Sequence, residues 1–187
     1  MEELRLIEPT IKYSKQVLKY KLDMIKAKSA MDGCEELEKR DVQTWLKFCE
    51  TSKNEGTKVF GSNIHTTQFL CVRNSDKKLV GMLNIKHELN PTLYNFIGNI
   101  CNSVAVDERN KGYGKQLLRL GLEECKKMGM NEVLVTCRQE NYVSRKCILA
   151  NGGKFEDMRH IDDNFYERYW VDLNSKNFKE KSKEKQS

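Results

Sequence analysis

Proline and histidine are scarce in this 187-residue chain, at two and three residues. No apolar run approaches the roughly 20 residues that span a bilayer, so no membrane span is expected. The chain opens Met1-Glu2-Glu3-Leu4-Arg5 with no apolar signal segment behind it, which makes the cytoplasm the expected address. Seven cysteines are present but no C-x-x-C pair. An odd count without metal-ligand spacing argues against a disulfide framework and against a zinc site, and no metal is expected. Most of the cysteines sit in apolar patterns, where a small buried hydrophobe is the ordinary reading. Both common phosphate-binding signatures, G-x-x-x-x-G-K-[ST] and G-x-G-x-x-G, are missing.

What is present fits one soluble α/β domain. Hydrophobic residues make up 39% and charged residues 32%, a globular balance. The net charge is +6, and half of it lies after Leu173, where five lysines outnumber two glutamates. That segment lacks apolar periodicity and reads as a solvated, disordered tail over 174–187. The remaining excess charge over 1–173 carries no recognition motif, so no nucleic acid is expected as partner.

Periodicity gives a strand at Leu4–Ile7, then a helix entered at Pro9-Thr10, with Thr10 as cap and Val17, Leu18, Leu22 and Ile25 on one face. Asp32-Gly33 breaks it. Asp41 caps a second helix bearing Val42, Trp45, Leu46 and Cys49, and 54–63 reads as a loop. Thr67–Val72, Leu79–Ile85 and Phe96–Val106 are strand-like. An amphipathic helix follows, striped by Leu117, Leu118, Gly121, Leu122, Cys125 and Met128 and closed by Gly129. Val133–Cys137 is a buried strand, Asn141–Asn151 a helix, and two strands around Phe155 and over Phe165–Leu173 close the domain. The order β-α-α-β-β-β-α-β-α-β-β implies a mixed sheet covered on both faces, an α/β (α+β) class.

The densest chemistry lies between Ser103 and Gln116. An apolar strand ends, a polar loop containing Gly112 and Gly114 follows, and a helix starts at once. That geometry aims free backbone N–H groups and the positive end of a helix dipole at one point, which suits phosphate. Glycines let the main chain approach a diphosphate closely. Arg109, Lys111 and Lys115 add positive charge. Arg-x-x-Gly-x-Gly alone also describes an ordinary glycine-bearing turn.

Arg109-x-x-Gly112-x-Gly114 after an apolar strand resembles the [Q/R]-x-x-G-x-[G/A] signature of the GNAT superfamily of N-acetyltransferases. Asn141-x-x-Ser144, opening a helix that ends at Gly152-Gly153, is similar to that family's second motif. The element order from Leu4 to Leu173 matches as well. The strings Gly81-Met82-Leu83-Asn84-Ile85-Lys86-His87-Glu88-Leu89-Asn90 and Arg168-Tyr169-Trp170 resemble a bacterial branch of predicted acetyltransferases.

The resemblance implies acetyl-CoA as co-substrate, its diphosphate on the loop of Arg109, Asn110, Lys111, Gly112, Tyr113, Gly114 and Lys115. It implies the pantetheine arm along Val104, Ala105 and Val106, with a main-chain N–H there as oxyanion donor. The strand Val133–Cys137 would splay away, and Asn141 and Ser144 would border the arm; a helix N-cap is the other reading of Asn141. The carboxylate that members often carry on the strand before the loop falls near Asn99, and their tyrosine falls at Ile148. Glu88 and His87 therefore become the candidate bases, and Tyr142, Tyr166 and Tyr169 candidate proton donors. A water relay from an already neutral amine is the alternative.

The reaction implied is direct transfer to the primary amine of a small molecule or peptide, by a monomer or homodimer. Other readings are a protein lysine or N-terminal acetyltransferase and a catalytically silent acyl-CoA-binding module. The first two helices and the loop 54–63 would shape the acceptor site. Asp32, Glu35, Glu36 and Glu38 there would attract a cationic amine or form a solvated face.

Overall fold

A computed structural model describes residues 2–175 and 178. The chain runs β1 (Leu4–Ile7), α1 (Ser14–Lys26), α2 (Val42–Asn54), β2 (Thr57–Val59), β3 (Ser62–Ile64), β4 (Thr66–Arg73), β5 (Leu79–Lys86), β6 (Ile100–Val104), α3 (Tyr113–Lys127), β7 (Glu132–Arg138), α4 (Tyr142–Ala150), β8 (Lys154–Ile161) and β9 (Asn164–Asp172). Short 3-10 turns precede α1 and follow β6, and a π-helical turn at Leu93–Ile97 leads into β6.

The strands form one antiparallel sheet in the order β1-β4-β5-β6, another in the order β7-β9-β8, and a small β2-β3 hairpin. β4 and β5 are buried almost throughout, because helices cover both faces of the sheet. On one face α3 packs Leu117, Leu118, Leu122 and Cys125 against Leu83, Ile85 and Ile100. Gly121 makes that approach possible, since a Cβ there would lie 2.5 Å from a Leu83 methyl. On the other face Val17, Tyr20 and Met24 of α1 and Trp45 and Cys49 of α2 pack on Leu70, Val72 and Met82. The α/β class read from the sequence is that of the structure, whose order adds the β2-β3 hairpin and whose sheets pair antiparallel rather than mixed.

Four local readings change. The segment 54–63 is not only a loop: Phe60 and Gly61, both at positive φ, turn the β2-β3 hairpin, as a two-residue hairpin turn requires. The inner face of α1 is Val17, Tyr20 and Met24, while Leu18, Leu22 and Ile25 are exposed. Thr10 makes no side-chain cap bond, whereas Asp41 accepts from the Thr44 amide at 3.0 Å and caps α2. The strand expected over Phe96–Val106 is shortened to Ile100–Val104 by a turn at each end. The chain also stays packed beyond Leu173: Phe178 is buried, with the Arg119 guanidinium 3.9 Å from its ring centre. The rest of the expected tail lies outside the described residues, apart from Asn174 and Ser175.

Candidate active site

β6 and β7 touch only near the start of β6, where Gly98 bridges Val135. Gly98 has φ 79°, and a Cβ there would lie 2.4 Å from the Leu134 carbonyl. Asn99 then pins three strands: its amide NH2 donates to Lys86 O at 3.1 Å, and its Oδ1 accepts from the Leu134 N–H at 3.0 Å. Beyond this pin β6 has β5 as its sole sheet neighbour among the described residues. Lys86 N–H donates to Asn99 O and Ala105 N–H to Val80 O. By antiparallel alternation, the main-chain groups of Cys101 and Ser103 face β5, and those of Asn102 and Val104 face the gap.

The loop completes the site. Asn110 and Gly112 adopt left-handed conformations, at φ 61° and 81°, and swing the chain into α3. No side chain caps α3. Among the described residues no acceptor meets the backbone N–H groups of residues 110–115. Six successive donors leading into a 15-residue helix are therefore left without an acceptor among the described residues, at the end of an open strand edge. Gly114 sits 3.4 Å from Cys147 Sγ when given a Cβ, so α4 closes the other side of this notch.

The basic side chains divide. Arg109 turns back to α1, donating to Ser29 Oγ at 2.7 Å and to Val104 O at 3.3 Å. Lys111 is held by Glu108 at 2.9 Å. Glu108 is buried and also pairs with Arg73 and Lys78. Burial alone would raise its carboxyl, but hydrogen bonds from Lys78 and Lys111 and the nearby charges hold it below the ordinary value. Tyr113 is a core residue whose hydroxyl accepts from Arg73 at 3.2 Å. Lys115 is exposed beside Cys147; its carbonyl accepts from the Asn151 side-chain amide at 3.0 Å, and its ammonium makes no hydrogen bond among the described residues. The positive character of the site thus rests on main-chain donors and Lys115. Ala105 and Val106 belong to the turn rather than to the open edge, and the Ala105 N–H is already used.

Asn141 caps α4, its Oδ1 accepting from the Ser144 N–H at 3.0 Å. Tyr142 is 64% exposed, with the Arg145 guanidinium 5.1 Å from its ring centre. Ile148 is buried against Gly153. His87 and Glu88 lie past the Asn99 pin and turn to the start of β4: His87 Nε2 bonds Thr67 Oγ1 at 2.8 Å, and Glu88 accepts from the His65 N–H at 3.0 Å. Burial lowers the His87 pKa, against the pull of Glu88. The structure sets Gly114 and Lys115 against the C-terminal part of α4 and its end, at Cys147 and Asn151, while His87 and Glu88 bond to Thr67 and His65. A cleft of about 410 Å³ beside α2, lined by Glu8, Lys47, Glu50, Lys53 and Gln68 among others, contains none of the loop residues.

The connection between α1 and α2 packs on β6. Gly33, at φ 78°, rests on β6 so closely that a Cβ would lie 2.4 Å from Cys101 O. Ser103 Oγ donates to the Asp32 carbonyl and bonds Tyr20 OH. Below them Lys86, fully buried, pairs with Glu35 at 2.7 Å and reaches Asn84 and Cys101. Burial pulls its pKa down, but Cys101 and Glu35 hold it above the ordinary value. The sequence signal was Asp32-Gly33, which reads simply as a break after α1. Nothing in one dimension shows that it lands on β6. Among the described residues no helix is long and apolar enough to cross a membrane, and no group of three His, Cys, Asp or Glu side chains is placed to hold a metal.

Residues 33–152 match the model of the acetyltransferase (GNAT) family. A search of curated proteins gives no significant match. Among solved structures the chain is similar to the Salmonella typhimurium acetyltransferase that modifies the N-terminal serine of ribosomal protein L7/L12, with 13% identity, TM-score 0.65, and 91% of this chain and 95% of that one covered. It is similar to Mycobacterium smegmatis RimJ in complex with CoA-disulfide, with 18% identity, TM-score 0.65, and coverage of 90% and 81%. It is also similar to the spermidine/spermine N-acetyltransferase SpeG of Vibrio cholerae, with 13% identity, TM-score 0.64, and coverage of 96% and 99%.

Proposed function

Because the chain belongs to the acetyltransferase (GNAT) family, we propose that it moves the acetyl group of acetyl-CoA directly to a primary amine of a small molecule or peptide in the bacterial cytoplasm. The observation that carries this reading is the run of partnerless main-chain donors over residues 110–115, set at the end of the exposed edge of β6. Those amides and the Lys115 ammonium would neutralise the diphosphate, and glycine at 112 and 114 would let the main chain reach it. The outward N–H and C=O groups of Asn102 and Val104 would pair with the amides of the pantetheine arm, as a strand partner does. An N–H of the same edge would stabilise the charge developing on the thioester oxygen. The departing thiolate, with a pKa near the cysteine value of about 8.5, leaves without an obligatory acid. That suits a site whose tyrosine position is the buried Ile148.

The solved relatives act on a protein N-terminus and on a polyamine, so both kinds of amine belong in the test. Calorimetry with acetyl-CoA is expected to show binding that Gly112→Glu abolishes, since a carboxylate would then stand among the phosphate donors. Thiol release from acetyl-CoA would then be followed with spermidine and with a peptide bearing an N-terminal serine. Absence of acetyl-CoA binding overturns the reading. Binding without turnover on any amine supports a silent acyl-CoA module, a reading favoured by Asn99, whose amide is engaged at both ends, and by Ile148.

A further inference from the structure

The geometry points to Asp32, in the connection between α1 and α2, as the proton acceptor for the attacking amine. This rests on the acetyltransferase reading and adds the residue that the usual positions, Asn99 and Ile148, do not supply. Asp32 is fixed on β6 through its main chain: Ser103 of β6 donates to its carbonyl, and the next residue, Gly33, lies directly on Cys101 and Asn102. The carboxylate itself is unengaged. Within the same connection Glu35 is paired with Lys86 and Glu36 with Lys39 and Arg40, whereas Asp32 accepts neither a side-chain hydrogen bond nor an ion pair among the described residues. The residue as a whole is exposed, while its carboxyl is partly withdrawn from solvent.

Charged groups at the ends of β5 and β7 act on it. It interacts with Arg138, the last residue of β7, with Lys86 at the end of β5, with Cys101 of β6 and with Cys34 of its own connection. Tyr20 of α1 faces the same place through Ser103. Burial pushes the Asp32 carboxyl above the ordinary value, against Arg138 and Lys86, which brings it nearer the range of a working base.

In the step assigned to it, the carboxylate takes one proton from the acceptor ammonium. The nitrogen lone pair forms the C–N bond to the thioester carbon, and the C–S electron pair passes to sulfur. The second proton, shed as the amide forms, goes to the thiolate, and Asp32 later releases its own proton to water. Products are the acetamide, free CoA thiol and one proton.

The test compares wild type, Asp32→Asn, Asp32→Glu and the surface control Glu132→Gln, using spermidine and the serine peptide as probes. Asp32→Asn is expected to lower kcat by about 10²-fold or more at pH 7, with acetyl-CoA affinity by calorimetry unchanged. Its kcat/KM should lose the acid limb set by Asp32 and follow only the fraction of neutral amine as pH rises. Asp32→Glu should restore part of kcat, and Glu132→Gln should match wild type. Wild-type kcat and an unchanged pH profile in Asp32→Asn would sink Asp32 while leaving the acetyltransferase reading intact. If wild type itself fails to bind acetyl-CoA, the underlying reading fails first. Should Asp32→Asn lose its fold, the wild-type pH profile decides: an acid limb below the amine's own ionisation supports a carboxylate base, and its absence refutes one.

Discussion

Asn99→Asp separates two roles for the residue at the root of the gap. The substitution is nearly isosteric and places a carboxyl where other members of the family often carry one. In the wild type the Asn99 amide donates to Lys86 O at 3.1 Å and accepts from Leu134 N–H at 3.0 Å, and the residue is 6% exposed. An ionised aspartate keeps the second bond and loses the first. It then sets a carboxylate oxygen against the Lys86 carbonyl. A buried acceptor stripped of its donor costs about 1–3 kcal/mol, and confining the charge adds to this, so a loss of about 2–4 kcal/mol is expected at pH 8.

When protonated, the new carboxyl can donate to Lys86 O and much of the loss disappears. The variant's folded state binds its proton more tightly than the unfolded chain does. Its stability is therefore fully present at low pH and is lost as pH rises through the folded-state ionisation, with a slope of at most about 1.4 kcal/mol per pH unit. Urea unfolding followed by circular dichroism at pH 5 and pH 8, for wild type and variant, reads this directly. The deficit should shrink by at least about 1 kcal/mol at pH 5. Equal stabilities at both pH values would refute the pin. A rise in kcat would show that position 99 is a base site lacking its carboxylate.

Glu108→Gln should cost about 3 kcal/mol in chemical denaturation, because Arg73, Lys78 and Lys111 converge on that buried carboxylate. In the wild type its lowered pKa gives stability that is present at neutral pH and lost as pH falls through the folded-state value. The native protein at pH 8 should leave Cys49, Cys125 and Cys137 unreactive to a thiol-exchange reagent, since burial pushes each up to about 12. Rapid modification of all seven thiols without denaturant would contradict the described packing.

The fold was legible where one physical rule governed a segment. The apolar stripe of α3 and its Gly129 terminus follow from helical period, and the Arg109–Lys115 loop announces a strand passing into a helix. α1 was harder. Two apolar stripes compete on it, and the buried one includes Tyr20, whose hydroxyl is spent on Ser103. The base candidates Glu88 and His87 were chosen for their type and for their place at a strand end. Their bonds to His65 and Thr67 depend on how β4 and β5 align, which no local pattern encodes.

Sequence alone determined the order of helices and strands, the glycine-bearing loop at 109–115 and the likeness to an acetyl-transferring family, because these depend on neighbours along the chain. Tertiary structure decided which side chains meet. It spent Lys111 on Glu108, made Asn99 a pin, and laid Asp32-Gly33 on β6 some 70 residues away in sequence. Such pairings are selected by packing across the whole sheet, where a contact is fixed by the elements that bring it together rather than by the residues beside it.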